Sequence, residues 1–107
     1  VLADFSQLPT ILFDEIDTGV SGEIALKMGE IMSKMSANRQ VFAITHLPQI
    51  ASKGDAQYKV SKETIADNTI SKIVKLTNEE RIVEIAEMLS GKQITDSALT
   101  HAKTLLN

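Results

Sequence analysis

Hydrophobic positions along this chain alternate between short continuous runs and stripes at helical spacing. Residues 10–13, Thr-Ile-Leu-Phe, form a brief apolar run after Pro9 that stops abruptly in acids. A run this short, with a β-branched residue and an aromatic, predicts a strand buried on both faces. The pattern then changes period. Ile24, Ala25, Met28, Ile31, Met32 and Met35 recur at spacings that line one side of a helix. Ser21 is a good N-cap for it, Glu23 falls in its first turn, and Ser36-Ala37-Asn38 closes it. The three methionines on that stripe read as core filling. A second apolar run follows at 41–45 and ends at His46. Strand, helix and strand joined this way predict a parallel pair with a right-handed crossover. Pro48 predicts a turn or the start of a short helix around residues 49–52.

The second half has a different character. Tyr58 and Val60 alternate with Lys59 and Ser61, and residues 70–76 form another β-rich run. Residues 64–68 between them predict an antiparallel hairpin with a loop of about five residues. Thr77 followed three positions later by Glu80 is a capping box. The helix it opens carries Ile82, Ile85, Ala86 and Leu89 on one face and stops at Gly91. A last helix, from about Thr95, presents Leu99, Ala102, Leu105 and Leu106, with His101 on its polar side. The whole reads as one α/β unit over residues 1–107, without repeats or a Pro-, Gly- or Ser-rich linker.

Composition adds exclusions. At 107 residues, 43% hydrophobic and 23% charged, the chain has ordinary globular values and enough length for one core. Without cysteine it has no disulfides, thiolate metal sites or thiol nucleophiles. It contains no apolar run long enough for a membrane span and no signal-peptide pattern at its first residues. The first residue is Val rather than Met, so a piece of a longer chain is expected. The net charge of −3 hides an asymmetry. Residues 1–30 carry six acids and one base, whereas residues 31–107 carry ten bases and eight acids. A globally basic nucleic-acid binder is not indicated, and the local acidic excess needs a local reason.

That reason lies at the end of the first strand, where Asp14, Glu15 and Asp17 crowd together. Ligands of open α/β sheets sit just outside the carboxyl ends of parallel strands. Neighbouring carboxylates there repel unless something positive shares the site. Asp14 suits Mg²⁺ held largely through water, and Glu15, pointing elsewhere, suits a general base acting on a water. Four apolar residues followed by Asp-Glu is the Walker B pattern of nucleotide hydrolases. The bland alternative is a solvated loop with helix-capping acids. His46 ends the second run, where a crossover could bring it next to Asp14 and Glu15. There it could donate to a phosphate oxygen or fix a water, or serve only as a surface histidine. Thr18-Gly19-Val20-Ser21-Gly22 is either plain helix entry or a loop shown to a partner subunit.

Residues 9–22, PTILFDEIDTGVSG, and 41–51, VFAITHLPQIA, closely resemble the C-terminal part of the RecN family of bacterial DNA repair ATPases. That family lies in the SMC-like branch of ABC-type ATPases, and residues 81–91, RIVEIAEMLSG, also look like its tail. The resemblance implies a partial P-loop NTPase head lobe of ABC type: short parallel strands with a crossover helix, then an antiparallel hairpin and C-terminal helices. It implies that Asp14 matches the Walker B aspartate that helps hold Mg²⁺. Glu15 matches the catalytic glutamate, Asp17 the D-loop aspartate that works across a dimer, and His46 the switch histidine that senses the γ-phosphate. The implied cofactors are ATP and Mg²⁺. The implied partners are the N-terminal lobe of the same head, a second head in an ATP-dependent dimer, and DNA ends or double-strand breaks. The implied location is the bacterial cytoplasm, associated with the nucleoid.

The 107 residues hold no Gly-x4-Gly-Lys-Ser/Thr phosphate loop, no Ser-Gly-Gly signature upstream of Asp14 and no coiled coil. Leu89-Ser90-Gly91 ends a helix on the wrong side of Asp14 to be that signature. The chain alone is therefore expected to bind ATP weakly or not at all and to hydrolyse none. Another SMC- or ABC-type repair ATPase head is the nearest alternative. A self-contained acidic metal-binding module would want more ligands than His46 adds. A pure interaction module could use the five lysines of residues 53–75 as a DNA-facing surface, although one aromatic, Tyr58, makes a poor stacking platform.

Overall fold

The computed structural model describes residues 9–14 and 19–107. Among these, β1 (Thr10–Asp14) leads to α1 (Gly22–Met35), β2 (Gln40–Ile44) and the one-turn α2 (Pro48–Ala51). β3 (Tyr58–Ile65) and β4 (Asn68–Lys75) follow, then α3 (Asn78–Ser90) and α4 (Asp96–Leu106). β1 and β2 form a parallel pair, and β3 and β4 an antiparallel one. The α/β class, the crossover helix, the hairpin and the two closing helices are as the pattern predicts.

The helix ends follow from the capping residues. Ser21 Oγ accepts the Ile24 N–H at 3.4 Å, and Thr95 Oγ1 accepts the Ala98 N–H at 3.0 Å. At α3 the box is complete: Thr77 Oγ1 accepts the Glu80 N–H at 3.2 Å and Glu80 Oε1 accepts the Thr77 N–H at 2.9 Å. Gly91 ends α3 with a φ of +80°, a conformation that favours glycine.

Two apolar clusters hold the elements. Ala25 and Met32 of α1 meet Ile50 of α2, with Phe13, Val41 and Leu47 packed around them. Ile85 and Ala86 of α3 meet Ala98 and Ala102 of α4. The short α2 joins the two, because Ile50 belongs to the first cluster and Ala51 packs against the second. Met28, Met32 and Met35 are buried or half-buried, in keeping with core filling, and His101 is exposed.

Three details depart from the pattern. The first strand is not buried on both faces. Ile11 is buried and Phe13 half-buried against the α1 cluster, but Leu12 is 60% exposed. Its partner across the register, Phe42, is 52% exposed, as is Ile44. One helix layer covers one face of a parallel pair, and the described residues provide no second layer. The stripe on α1 is likewise only partly covered, since Ile24 and Ile31 remain exposed. The hairpin loop is two residues long, not about five. Ala66 and Asp67 both take positive φ, at 49° and 66°, the tight turn that matches the twist of a hairpin. With Ile65 opposite Asn68, the strands run to the turn, and both lie exposed along their whole length. Among the described residues no helix is long and apolar enough to cross a membrane.

Candidate functional site

The parallel register defines the site. Thr10 pairs with Gln40 and Asp14 with Ile44, so both strands end together at their carboxyl termini. Asp14 is the last residue of β1, and His46 lies two residues beyond the end of β2. Both side chains are exposed, facing outward from the end where α/β sheets bind ligands. By strand alternation Asp14 shares the uncovered face with Leu12, and its neighbour across the register is Ile44. The carboxylate is thus presented at the open side rather than against α1.

The turn carrying His46 is shaped by its neighbours. The Leu47 N–H donates to Thr45 Oγ1 at 3.0 Å, closing a hydroxyl-bridged turn with His46 at its centre. Pro48 then starts α2 without needing an N–H partner, and its ring is buried. Across the site, Gly19 has a φ of +79° and leads through Val20 to the capped start of α1. Glu15 and Asp17 lie outside the described residues, as do Ile16 and Thr18.

The donor set suits a water-rich divalent cation. Mg²⁺ keeps several waters and takes one or two carboxylates plus phosphate oxygens, which matches one exposed carboxylate at a strand end. Among the described residues no group of three or more His, Asp or Glu gathers as a protein cage.

Two residues to which the sequence reading gave no role are placed by the fold. Arg81 of α3 is only 8% exposed, although it is charged. Its Nη2 donates to the carbonyls of Gly54 and Ala51 at 2.9 and 3.3 Å, and its Nε to Gln57 Oε1 at 3.2 Å. It thereby ties α3 to carbonyls at, and three residues beyond, the carboxyl end of α2. Burial pushes the guanidinium below its ordinary value, and the charge of Asp55 opposes that shift. The available signal was spacing: Arg81 precedes Ile85 and Leu89 at intervals of four, on the apolar stripe of α3. The second is Gln49 of α2, whose side-chain Oε1 is buried.

The lysines of residues 53–75 are dispersed. Lys59 pairs with Glu84 at 2.8 Å and Lys72 with Glu63 at 2.8 Å. The Lys53 stem lies over Gly29 of α1. The hydrogen bond to Glu84 holds Lys59 above its ordinary pKa.

No family model matches the chain. Individual proteins do. The DNA repair protein RecN of Vibrio cholerae is 45% identical over 98 residues, covering 92% of this chain and 18% of the relative. RecN of Rickettsia prowazekii is 47% identical over 98 residues, with the same coverages. RecN of Bacillus subtilis is 38% identical over 106 residues, covering 99% of this chain and again 18% of the relative. Over nearly its whole length the chain is similar to RecN. It spans less than a fifth of the length of these RecN relatives and corresponds to a C-terminal head portion of them. Its fold agrees with that assignment. A solved structure from work on ATP-driven dimerization and DNA-stimulated activation of SMC ATPases superposes with a TM-score of 0.66. It is 26% identical, and the match covers 81% of this chain and 51% of that one.

Proposed function

We propose that the intact protein carrying this segment is a DNA repair ATPase and that the segment supplies half of its ATP hydrolysis site. The observation that supports this is the β1–β2 register in a RecN-like chain, with Asp14 opposite Ile44 and His46 two residues on. Asp14 is the residue that would hold Mg²⁺. When bound, the ion neutralises charge on the phosphate oxygens during in-line attack by water. Glu15 receives a proton from that water at its carboxylate. His46 offers an imidazole N–H toward the γ-phosphate, from a turn braced by Thr45. Asp17 reaches across to a second head. The amides and lysine that cradle the phosphates come from an N-terminal lobe, which also covers the apolar face of Leu12, Phe42 and Ile44. Two heads close on ATP in this reading, and the closed pair acts on DNA ends in the bacterial cytoplasm.

Glu15→Gln in the intact protein tests the assignment. ATP turnover falls by about a hundredfold or more, while ATP binding and head dimerisation persist. Unchanged turnover removes Glu15 from its role. The 107-residue polypeptide alone hydrolyses no ATP, and Glu15-dependent turnover by it would overturn the half-site reading.

A further inference from the structure

Beside the packing of Ile50 on Ala25 and Met32, the short helix that follows His46 meets α1 at two glycines. At Gly29 a Cβ would come within 2.9 Å of the Gln49 carbonyl oxygen and of Lys53 Cγ. At Gly22, the first residue of α1, a Cβ would meet Gln49 Nε2 at 3.2 Å. Gly22 and Gly29 are seven residues apart, about two turns, so both lie on the same side of α1. The first notch receives the Gln49 carboxamide and the second receives its backbone. Gln49 is therefore the polar residue by which the His46 segment rests on Gly22, the first residue of α1.

The carboxamide is an odd choice for a purely packing role. Its Oε1 is buried and accepts no hydrogen bond from the described residues. A buried acceptor left without a donor is costly, and native structures seldom keep one without cause. A methionine would fill the same length of space without that cost.

We infer that Gln49 is a positioning residue for ATP hydrolysis, seated in the glycine notch at Gly22 to hold the His46 turn against the start of α1. This rests on the proposed ATPase reading and adds to it a residue that sets the spacing between the two halves of this half-site. Gln49 touches no substrate, so its contribution lies in geometry. Misplacing a reacting group by about an ångström is enough to slow a reaction substantially.

The test uses the intact protein with Gln49→Met, Gly22→Ala and the two combined. Gln49→Met lowers kcat for ATP by about tenfold. The KM for ATP stays within about twofold and the thermal unfolding midpoint is unchanged, because a positioning loss falls on turnover rather than on uniform binding. Gly22→Ala, which crowds the carboxamide, lowers kcat similarly, and the double variant is no worse than either single one. Normal kcat in a folded Gln49→Met protein overturns the inference, as does a loss of kcat that merely follows a lowered midpoint. Additive losses in the double variant overturn the notch as the point of contact. If Gly22→Ala does not fold, Gln49→Met alone decides. Glu15→Gln in the same assay separates the two levels. Retained turnover there sinks the ATPase reading itself, whereas a dead Glu15→Gln beside a normal Gln49→Met sinks only the role of Gln49.

Discussion

Arg81 shows how much one residue can hold. Three donor–acceptor contacts converge on its guanidinium, and all three acceptors belong to the segment running from α2 to the start of β3. Removing the side chain takes away the donors to the Ala51 and Gly54 carbonyls and to Gln57 Oε1. Arg81→Met is expected to cost about 3 kcal/mol of unfolding free energy, read by urea denaturation. Arg81→Lys recovers only part of it, because an ammonium cannot reproduce the planar fork that reaches three acceptors. Full stability in Arg81→Met would show that water replaces the guanidinium at no cost. A sequence reading sees Arg81 only as a charge on an apolar stripe. What makes it intelligible is the end of a one-turn helix thirty residues earlier, and spacing along α3 carries no information about that.

At the scale of elements, local chemistry and local structure agree closely. The box at the start of α3 needs only residues three apart, so Thr77 and Glu80 identify it without any tertiary information. Thr77→Ala is expected to lower stability by about 1 kcal/mol in urea unfolding. The carboxylate of Glu80 lies below its ordinary pKa chiefly because it accepts the Thr77 N–H. A carboxylate depressed in the folded state adds stability above its unfolded pKa and loses it as pH falls through the folded one. The stability difference between the native chain and Glu80→Gln should therefore be present at neutral pH and vanish under acid, below the ordinary carboxylate range. A difference that grows on acidification would contradict the box. The hairpin is the element where pattern reading was least accurate. Residues 64–68 look like a polar loop, yet Ala66 and Asp67 alone make the turn. Alanine is a poor advertisement for positive φ, and the extended pairing of Thr64 with Thr69 overrides it.

At the scale of the molecule, the uncovered face of β1 and β2 dominates. Leu12, Phe42 and Ile44 form an apolar surface on strands of a type usually buried on both faces. Prepared as the 107-residue polypeptide, the chain is expected to self-associate through this surface. Phe42→Lys should shift it toward monomer in sedimentation velocity, with the helical content unchanged by circular dichroism. A monomeric native chain that Phe42→Lys does not alter would show that the face is harmless in water. The solved SMC ATPase chain is about twice as long as the part matched here, which is in keeping with the proposal that an N-terminal lobe covers this face.

Residue order alone determined the strand–helix–strand start, the caps at Ser21, Thr77 and Thr95, and the motifs around Asp14 and His46. Each depends on neighbours within a few positions, where periodicity and capping chemistry act directly. Tertiary structure decided which apolar faces are covered, why Arg81 is buried, and that Gln49 sits in a notch at Gly22. Those depend on residues far apart in the sequence meeting in space, as Arg81 meets Gln57, Gly54 and Ala51, 24, 27 and 30 positions earlier. A side chain's polarity says that it wants a partner, and only the folded arrangement says whether one is there.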